Sequence, residues 1–501
     1  MSSVFSVLKS VGKPLPSLIP LYFFLAMFCV ALGFDFNIFT VSVYDQKRLI
    51  QVSTFVLLGI TLLFDRRLLI DIHQAWSYLP TISRRVLLLV AVLGALSSYL
   101  APLPKPAFQE WSLFGLLFMF TLYVSTQLSS LSVQKVVLAM LAIAVSLYSW
   151  RFLAGAYLPS LGLIGGIKGY DVFVGFAHPR FLNQIQTWVL PLFPALLVVF
   201  SGVPRRYYWL LWVPGILGWT LLYASSGRAT LIAMICSAIV VLVLFTRISF
   251  AWLKVHSLFA IVGLALYLLL FHAIPHMLSV GMNLPKVTER LAQDGLMGRE
   301  SLWRLAWEIT RENPLLGLGP QQYANYHNHA IAAHPHSAYF QWMSEWGLVS
   351  FALICGLLVY GFTKWVKFCR HTLHKDNGEE SIILISLTAS LVAGATHALV
   401  SGIIVMPFSQ MLMCLVIGWV LAIYFSAGIS NSSHSGAINS QQIGVLTIAL
   451  IFIGTISYTS YPALTQTDQL REAYLTQYPR EKILKPRFWN QGLIGWQKVQ
   501  Q

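Results

Sequence analysis

The sequence predicts an all-α polytopic membrane protein with about 12–13 transmembrane helices and one large polar loop. Three observations predict it. Of 501 residues, 57% are hydrophobic and only 10% are charged, and the mean hydropathy is +0.69. Apolar runs long enough to cross a bilayer recur along the whole chain. The charges gather in the short segments between those runs, which is where a membrane tolerates them.

The expected spans fall near 16–33, 49–64, 86–101, 111–128, 136–157, 184–202, 208–224, 229–246, 256–272, 337–362, 381–399, 406–426 and 442–460. The first lacks a small-residue cleavage site and reads as a retained helix. Orientation follows from the basic loops. Arg66, Arg67, Arg84 and Arg85 share one loop, and Arg205 and Arg206 another. Arg247 and Lys254 share a third, and Lys364, Lys367, Arg370 and Lys375 fill a fourth. With Lys9 and Lys13 inside, all of these are cytoplasmic and the C-terminus lies outside.

The chain then divides into N-terminal spans (1–183), central spans (184–272), a large outer loop (273–336), C-terminal spans (337–460) and an outer tail (461–501). A glycine-rich outer segment covers 158–183, and the Ser225-Ser226-Gly227-Arg228 turn is a second outer feature. Within the large loop, Gly298 to Thr310 reads as an amphipathic helix with Leu302, Leu305, Ala306 and Ile309 on its apolar face. Asn313-Pro314 stops it, and Gly317 and Gly319 form a turn. Segment 427–441 is Ser/Asn/Gly-rich and reads as a flexible connector. Cys29, Cys236, Cys355 and Cys414 lie in apolar runs and Cys369 in a basic loop, so no disulfide and no metal-type spacing is expected.

A net charge of +15 would suggest nucleic acid in a soluble protein. Here the basic residues are scattered through short loops. Much of the excess follows from topology, and the rest suggests an anionic ligand other than nucleic acid. Arg228, Arg299 and Arg180 stand at the outer headgroup level, where a guanidinium can fork two donors toward a phosphate or diphosphate. The same residues could instead snorkel to lipid headgroups or pair with acids.

His327, His329, His334 and His336 cluster at the end of the loop. A histidine there can act as general base, a His-x-His pair can hold zinc, or the histidines can have no special role. His178 and His397 are further outer histidines, read as hydrogen-bonded structural residues. Glu345 lies inside a span, where a carboxylate needs a partner, either a histidine to orient or an arginine to pair. Gln341 sits one helical turn earlier on the same face. The tail residues Pro486-Arg487-Phe488-Trp489 and Trp496-Gln497-Lys498 mix aromatic and basic side chains and read as an interfacial anchor, with acceptor docking as the sharper alternative.

Several segments resemble the O-antigen ligase superfamily, which comprises O-antigen ligases, protein O-oligosaccharyltransferases and O-antigen polymerases. They are Ser226-Gly227-Arg228-Ala229, Gly298-Arg299 with Trp303, and Asn313-Pro314-Leu315-Leu316-Gly317-Leu318-Gly319. His334-Pro335-His336-Ser337 and Glu345-Trp346-Gly347 complete the set. One position departs: Ser337 stands where the family usually has asparagine. The resemblance implies a glycosyltransferase of the bacterial inner membrane that needs no metal and no cofactor and works on the periplasmic face. Its donor would be a glycan on undecaprenyl diphosphate. Arg228 and Arg299 would bind the diphosphate, with Arg180, Gln341 and Glu345 as further substrate-binding candidates. His336 would be the catalytic base and His334 its partner. Residues 176–188, from Phe176-Ala177-His178-Pro179-Arg180 to Trp188, look more like the pilin-type oligosaccharyltransferases. The expected acceptor is therefore a pilin-like protein, with lipid A-core as runner-up. A lipid-linked glycan transporter is the competing class, but no repeat-related halves are evident.

Overall fold

The computed structural model describes residues 15–34, 42–162, 167–168, 173–283, 297–328, 332–373, 379–426, 440–465 and 485–490, with residues 469, 472, 476 and 492. The connector at 427–439, His329, and Trp496-Gln497-Lys498 lie outside the described residues, as do Lys9, Lys13, Lys375 and parts of the glycine-rich segment.

The described residues are overwhelmingly helical. The helices are α1 (Leu15–Gly33), α2 (Val43–Phe64), α3 (Arg66–Tyr78), α4 (Thr81–Leu100), α5 (Pro104–Gln127) and α6 (Leu131–Phe152). They continue as α7 (Pro179–Val189), α8 (Pro194–Val199), α9 (Val213–Ala224), α10 (Arg228–Phe245) and α11 (Phe250–Leu268). After the loop helix α12 (Met297–Glu312) come α13 (Ala338–Leu373), α14 (Glu379–Ala398), α15 (Pro407–Ser426) and α16 (Ser440–Thr465). Ten helical stretches among the described residues are long and apolar enough to cross a membrane, and one of them, Arg228–Met277, holds α10 and α11 end to end.

The expected spans near 184–202 and 208–224 are broken into shorter pieces. Pro191 and Pro194 interrupt the first, so α7 passes through a 3-10 turn into α8. Arg205–Leu211 forms a 3-10 helix ahead of α9. Proline removes a backbone donor and clashes with the preceding turn, which ends a regular helix. The loop expected around Arg66 is itself largely helical. Asp65 caps α3 by accepting from the amides of Arg67 and Leu68 at 3.0 and 3.1 Å. Leu68, Leu69, Ile72 and Ala75 form its buried stripe. Cys369, expected in a basic loop, is buried within the last turns of α13. Among the described residues the only strand pairing is a two-residue parallel ladder, Ile167 with Met282 and Lys168 with Asn283, which ties two outer loops together.

The contacts support the alternation of the spans. Arg48, early in α2, reaches residues of the tail, and Glu110, early in α5, meets Glu345 of α13 through Arg487. At the opposite ends, Lys135 pairs with Glu379 at 3.0 Å, and His73 hydrogen-bonds Gln441 at 3.1 Å. The segments expected outside therefore gather at one face, and those expected inside at the other.

Candidate active site

The loop helix forms where the heptad-like spacing places it. Ala306 and Ile309 are fully buried and Leu302 nearly so. Trp303 stacks on Phe340 of α13 with ring centroids 5.4 Å apart. The Tyr323 hydroxyl donates to the Leu302 carbonyl at 3.0 Å. This packing seats α12 on the outer end of α13 and holds Arg299 in its first turn.

The next motif is a backbone seam. α13 kinks at Gly347, with φ +78° and ψ 165°. The freed polar groups are taken up by the Asn313–Gly319 turn. Leu318 N donates to Ser344 O at 2.9 Å, Gly319 N to Glu345 O at 3.0 Å and Leu348 N to Pro314 O at 2.8 Å. The approach leaves no space for side chains. A Cβ on Gly317 would lie 2.4 Å from the Glu345 carbonyl carbon, and one on Gly347 would lie 2.2 Å from Leu315 O. These glycines face each other across the seam, which explains two of the sequence motifs as one piece of architecture.

That seam carries the chain into the histidine turn. His336 sits in the left-handed region, φ +52°. Its amide donates to His334 Nδ1 at 3.2 Å, so a neutral His334 carries its proton on Nε2. The two rings meet edge to face, 4.3 Å between centroids. His334 is buried against Gly402, where a Cβ would stand 2.3 Å from the ring. Ser337 precedes the first residue of α13 and its Oγ accepts from Phe340 N at 3.5 Å. This is an N-cap contact, and serine and asparagine are interchangeable caps. The departure from asparagine thus leaves the helix start intact.

His336 is half-buried and lies within electrostatic reach of Arg180, Arg299 and His178. Burial first, then the charges of Arg180 and Arg299 and the neighbouring His178, push its imidazole down to about 3. His178 caps α7 by accepting from Arg180 N at 3.0 Å, and burial followed by Arg180 pushes it down to about 4. Burial, His336 and Arg487 hold His334 well below the usual range. At neutral pH these rings are neutral, with lone pairs able to accept a proton.

Arg228 opens α10, half-buried, after a tight turn in which Ser226 takes φ +52°. Asn183 of α7 braces that turn, donating to Ser225 Oγ at 2.6 Å. Thr187 and Thr230 each donate to the Asn183 carbonyl, at 2.9 and 3.0 Å. Thr187 Oγ1 is also hydrogen-bonded to His397 Nδ1 at 2.6 Å. His397 is thus a hydrogen-bonded residue joining α7, α10 and α14, as expected, and it also feels the charge of Arg299.

The structure brings His336, His334, Arg180 and Arg299 together. It places Glu345 and Gln341 behind them instead. Glu345 is fully buried, pairs with Arg487 at 2.5 Å, and accepts from Tyr323 N at 3.2 Å. Gln341 is buried, with its amide against both Glu110 and Arg487. Their side chains face protein groups. Arg487 also corrects the expected anchor role of the tail: Arg487 and Phe488 are buried, not at a headgroup surface. Sequence reasoning missed Arg48, Glu110 and Arg487. Span limits drawn at 49 and 111 stopped just short of Arg48 and Glu110, whereas the helices begin at Val43 and Pro104 and include them. A charge at the rim of an apolar run was the available signal.

Fold and site together define a multi-pass α-helical membrane protein. Residues 213–355 are similar to the O-antigen ligase family, whose model matches that stretch. The match spans the Arg228 turn, α12, the glycine seam and the histidine turn. No curated protein sequence matches the chain.

Proposed function

We propose that this protein transfers an oligosaccharide from undecaprenyl diphosphate to a hydroxyl on the periplasmic face of the bacterial inner membrane. What carries the proposal is the half-buried, neutral His336 on its left-handed turn, within the field of Arg180 and Arg299. The acceptor hydroxyl attacks the anomeric carbon, and its proton passes to His336. The bond from that carbon to the diphosphate oxygen breaks, and the lipid diphosphate leaves with the electron pair. Arg228, Arg299 and Arg180 stabilise the charge that develops there. His334 holds the His336 amide, while Gln341 and Glu345 support the turn from behind.

The proton finds its acceptor only when the donor is present. Burial first, then Arg180 and Arg299, depress the basicity of His336. A bound diphosphate offsets the arginine part and raises the basicity of the ring. The proposed chemistry calls for no metal and no cofactor.

The favoured acceptor is a serine or threonine of a pilin-like protein, on the strength of residues 176–188. Lipid A-core is the second reading, favoured by the ligase description of the matching family. Growing O-antigen and lipid-linked glycan transport rank below it. The test is purified protein in liposomes holding a lipid-linked glycan, offered pilin and lipid A-core separately. Transfer to pilin is expected. Transfer only to lipid A-core moves the protein to the ligases, and passage of glycan across the bilayer without transfer sinks the enzyme.

A further inference from the structure

The C-terminal segment enters the protein beside the histidine turn. Arg487 is 1% exposed and sits between two buried carboxylates, Glu110 at 2.6 Å and Glu345 at 2.5 Å. It also donates through Nε to the second Glu110 oxygen at 3.1 Å. Its remaining terminal nitrogen donates to the Ala333 carbonyl at 3.4 Å, one residue before His334. A single planar guanidinium therefore touches α5, α13 and the histidine turn at once.

The segment around it is fixed by backbone contacts. Arg48 Nε donates to Phe488 O at 2.9 Å, and its guanidinium lies 4.7 Å over the Phe488 ring. The Tyr44 hydroxyl donates to Arg487 O. Asn490 N donates to Asp45 Oδ1 at 2.7 Å. Arg48 is itself tied to Gln410 Oε1 at 2.7 Å and to Val405 O at 2.8 Å. Val405 in turn bonds through its amide to Gly402 O, the glycine on which His334 packs. The histidine turn is thus gripped from both sides by groups that the C-terminal segment completes.

The geometry assigns Arg487 as a positioning residue: the C-terminal segment is a latch that holds the His334–His336 turn in its reactive conformation. This rests on the proposed function for its consequence in transfer, but not for its consequence in loop order. A left-handed turn at His336 is unfavourable for a non-glycine residue and persists only where its surroundings over-determine it. Arg487 supplies such a constraint through Ala333.

The test uses the full chain and three variants. Arg487→Met removes the contact but leaves Glu110 and Glu345 unpaired, so folding itself can suffer. Arg487→Lys keeps the charge but lacks the fork. Arg487→Met with Glu110→Gln and Glu345→Gln removes the unpaired charge while still lacking the contact to Ala333. Hydrogen exchange at the amides of residues 332–337 and transfer to acceptor are measured for each, with binding of the lipid-linked glycan. The latch predicts at least tenfold faster exchange in the triple variant and in Arg487→Lys. It predicts turnover reduced by about 10- to 100-fold, with donor affinity within about threefold of wild type. Wild-type exchange in a folded triple variant overturns the latch, as does full turnover in it. The exchange measurement decides the latch alone. A wild-type protein that transfers nothing to any acceptor counts against the proposed function instead.

Discussion

Two charged clusters stand side by side at one end of the helix bundle, and they are built in opposite ways. Around Arg487, cations and carboxylates alternate, and Arg48, Arg487, Glu110 and Glu345 are all 5% exposed or less. Around His336, the groups that bear on the ring among the described residues are Arg180, Arg299 and His178, and the ring stays half-buried. A sealed cluster of both signs satisfies itself and serves structure. A reachable one in which basic groups bear on a half-buried ring suits the anionic donor of the proposed function. Charge near a membrane is thus not one signal but two, separated by burial and by the mix of signs.

The largest effect expected from breaking this contrast is at His336. His336→Ala should lower transfer by about 100- to 10,000-fold at unchanged abundance in the membrane, the range typical of losing a general base. Near-normal turnover by purified His336→Ala would remove it from the chemistry. Arg299→Lys and Arg228→Lys come next. Each should weaken transfer by about tenfold or more, because an ammonium cannot fork onto paired phosphate oxygens. If donor titrations of both variants overlay wild type, the cationic side of the comparison is mistaken.

The seam gives a stability test. Gly347→Ala should destabilise the protein by at least about 1–3 kcal/mol from backbone conformation alone, with the clash against Leu315 O added. Thermal melting in detergent would show it, and an unshifted midpoint would contradict the kink.

A smaller effect concerns pH. His336 is held at about 3 in the folded protein, while an unfolded histidine titrates near ~6.5. The unfolded chain therefore binds a proton that the folded one refuses, and stability falls as pH drops from ~6.5 toward 3. Donor binding should reverse part of this by taking up a proton, readable as a buffer-dependent heat. Binding heats independent of buffer would argue against the coupling. Ser337→Asn is expected to be nearly silent in both melting and transfer, since either residue caps α13.

How much of this was legible in the sequence follows from the same contrast. The spans, their alternation, the α12 stripe of Leu302, Ala306 and Ile309, and the clustering of His336 with Arg180 and Arg299 are consequences of local pattern and topology. The facing of Gly317 and Gly347 was visible only as two separate motifs, since nothing in spacing says that two turns touch. Arg487 was hardest. Its neighbours Phe488 and Trp489 read as interfacial, and its partners lie hundreds of residues away in sequence. Glu110 and Arg48 looked like span boundaries because apolar windows exclude charge by construction. Asn183 and Thr187 were read only as part of the 176–188 resemblance, and Thr230 carried no signal. Their role depends on three helix ends meeting around His397.

The position of Arg487 also has a bearing on the order in which the molecule is made. Glu110 and Glu345 are synthesised well before their shared partner, which lies 377 and 142 residues further along the chain. Until the C-terminal segment has crossed to the same face, two carboxylates wait in an apolar setting without it. A segment made much later thus closes the charge balance of helices laid down far earlier.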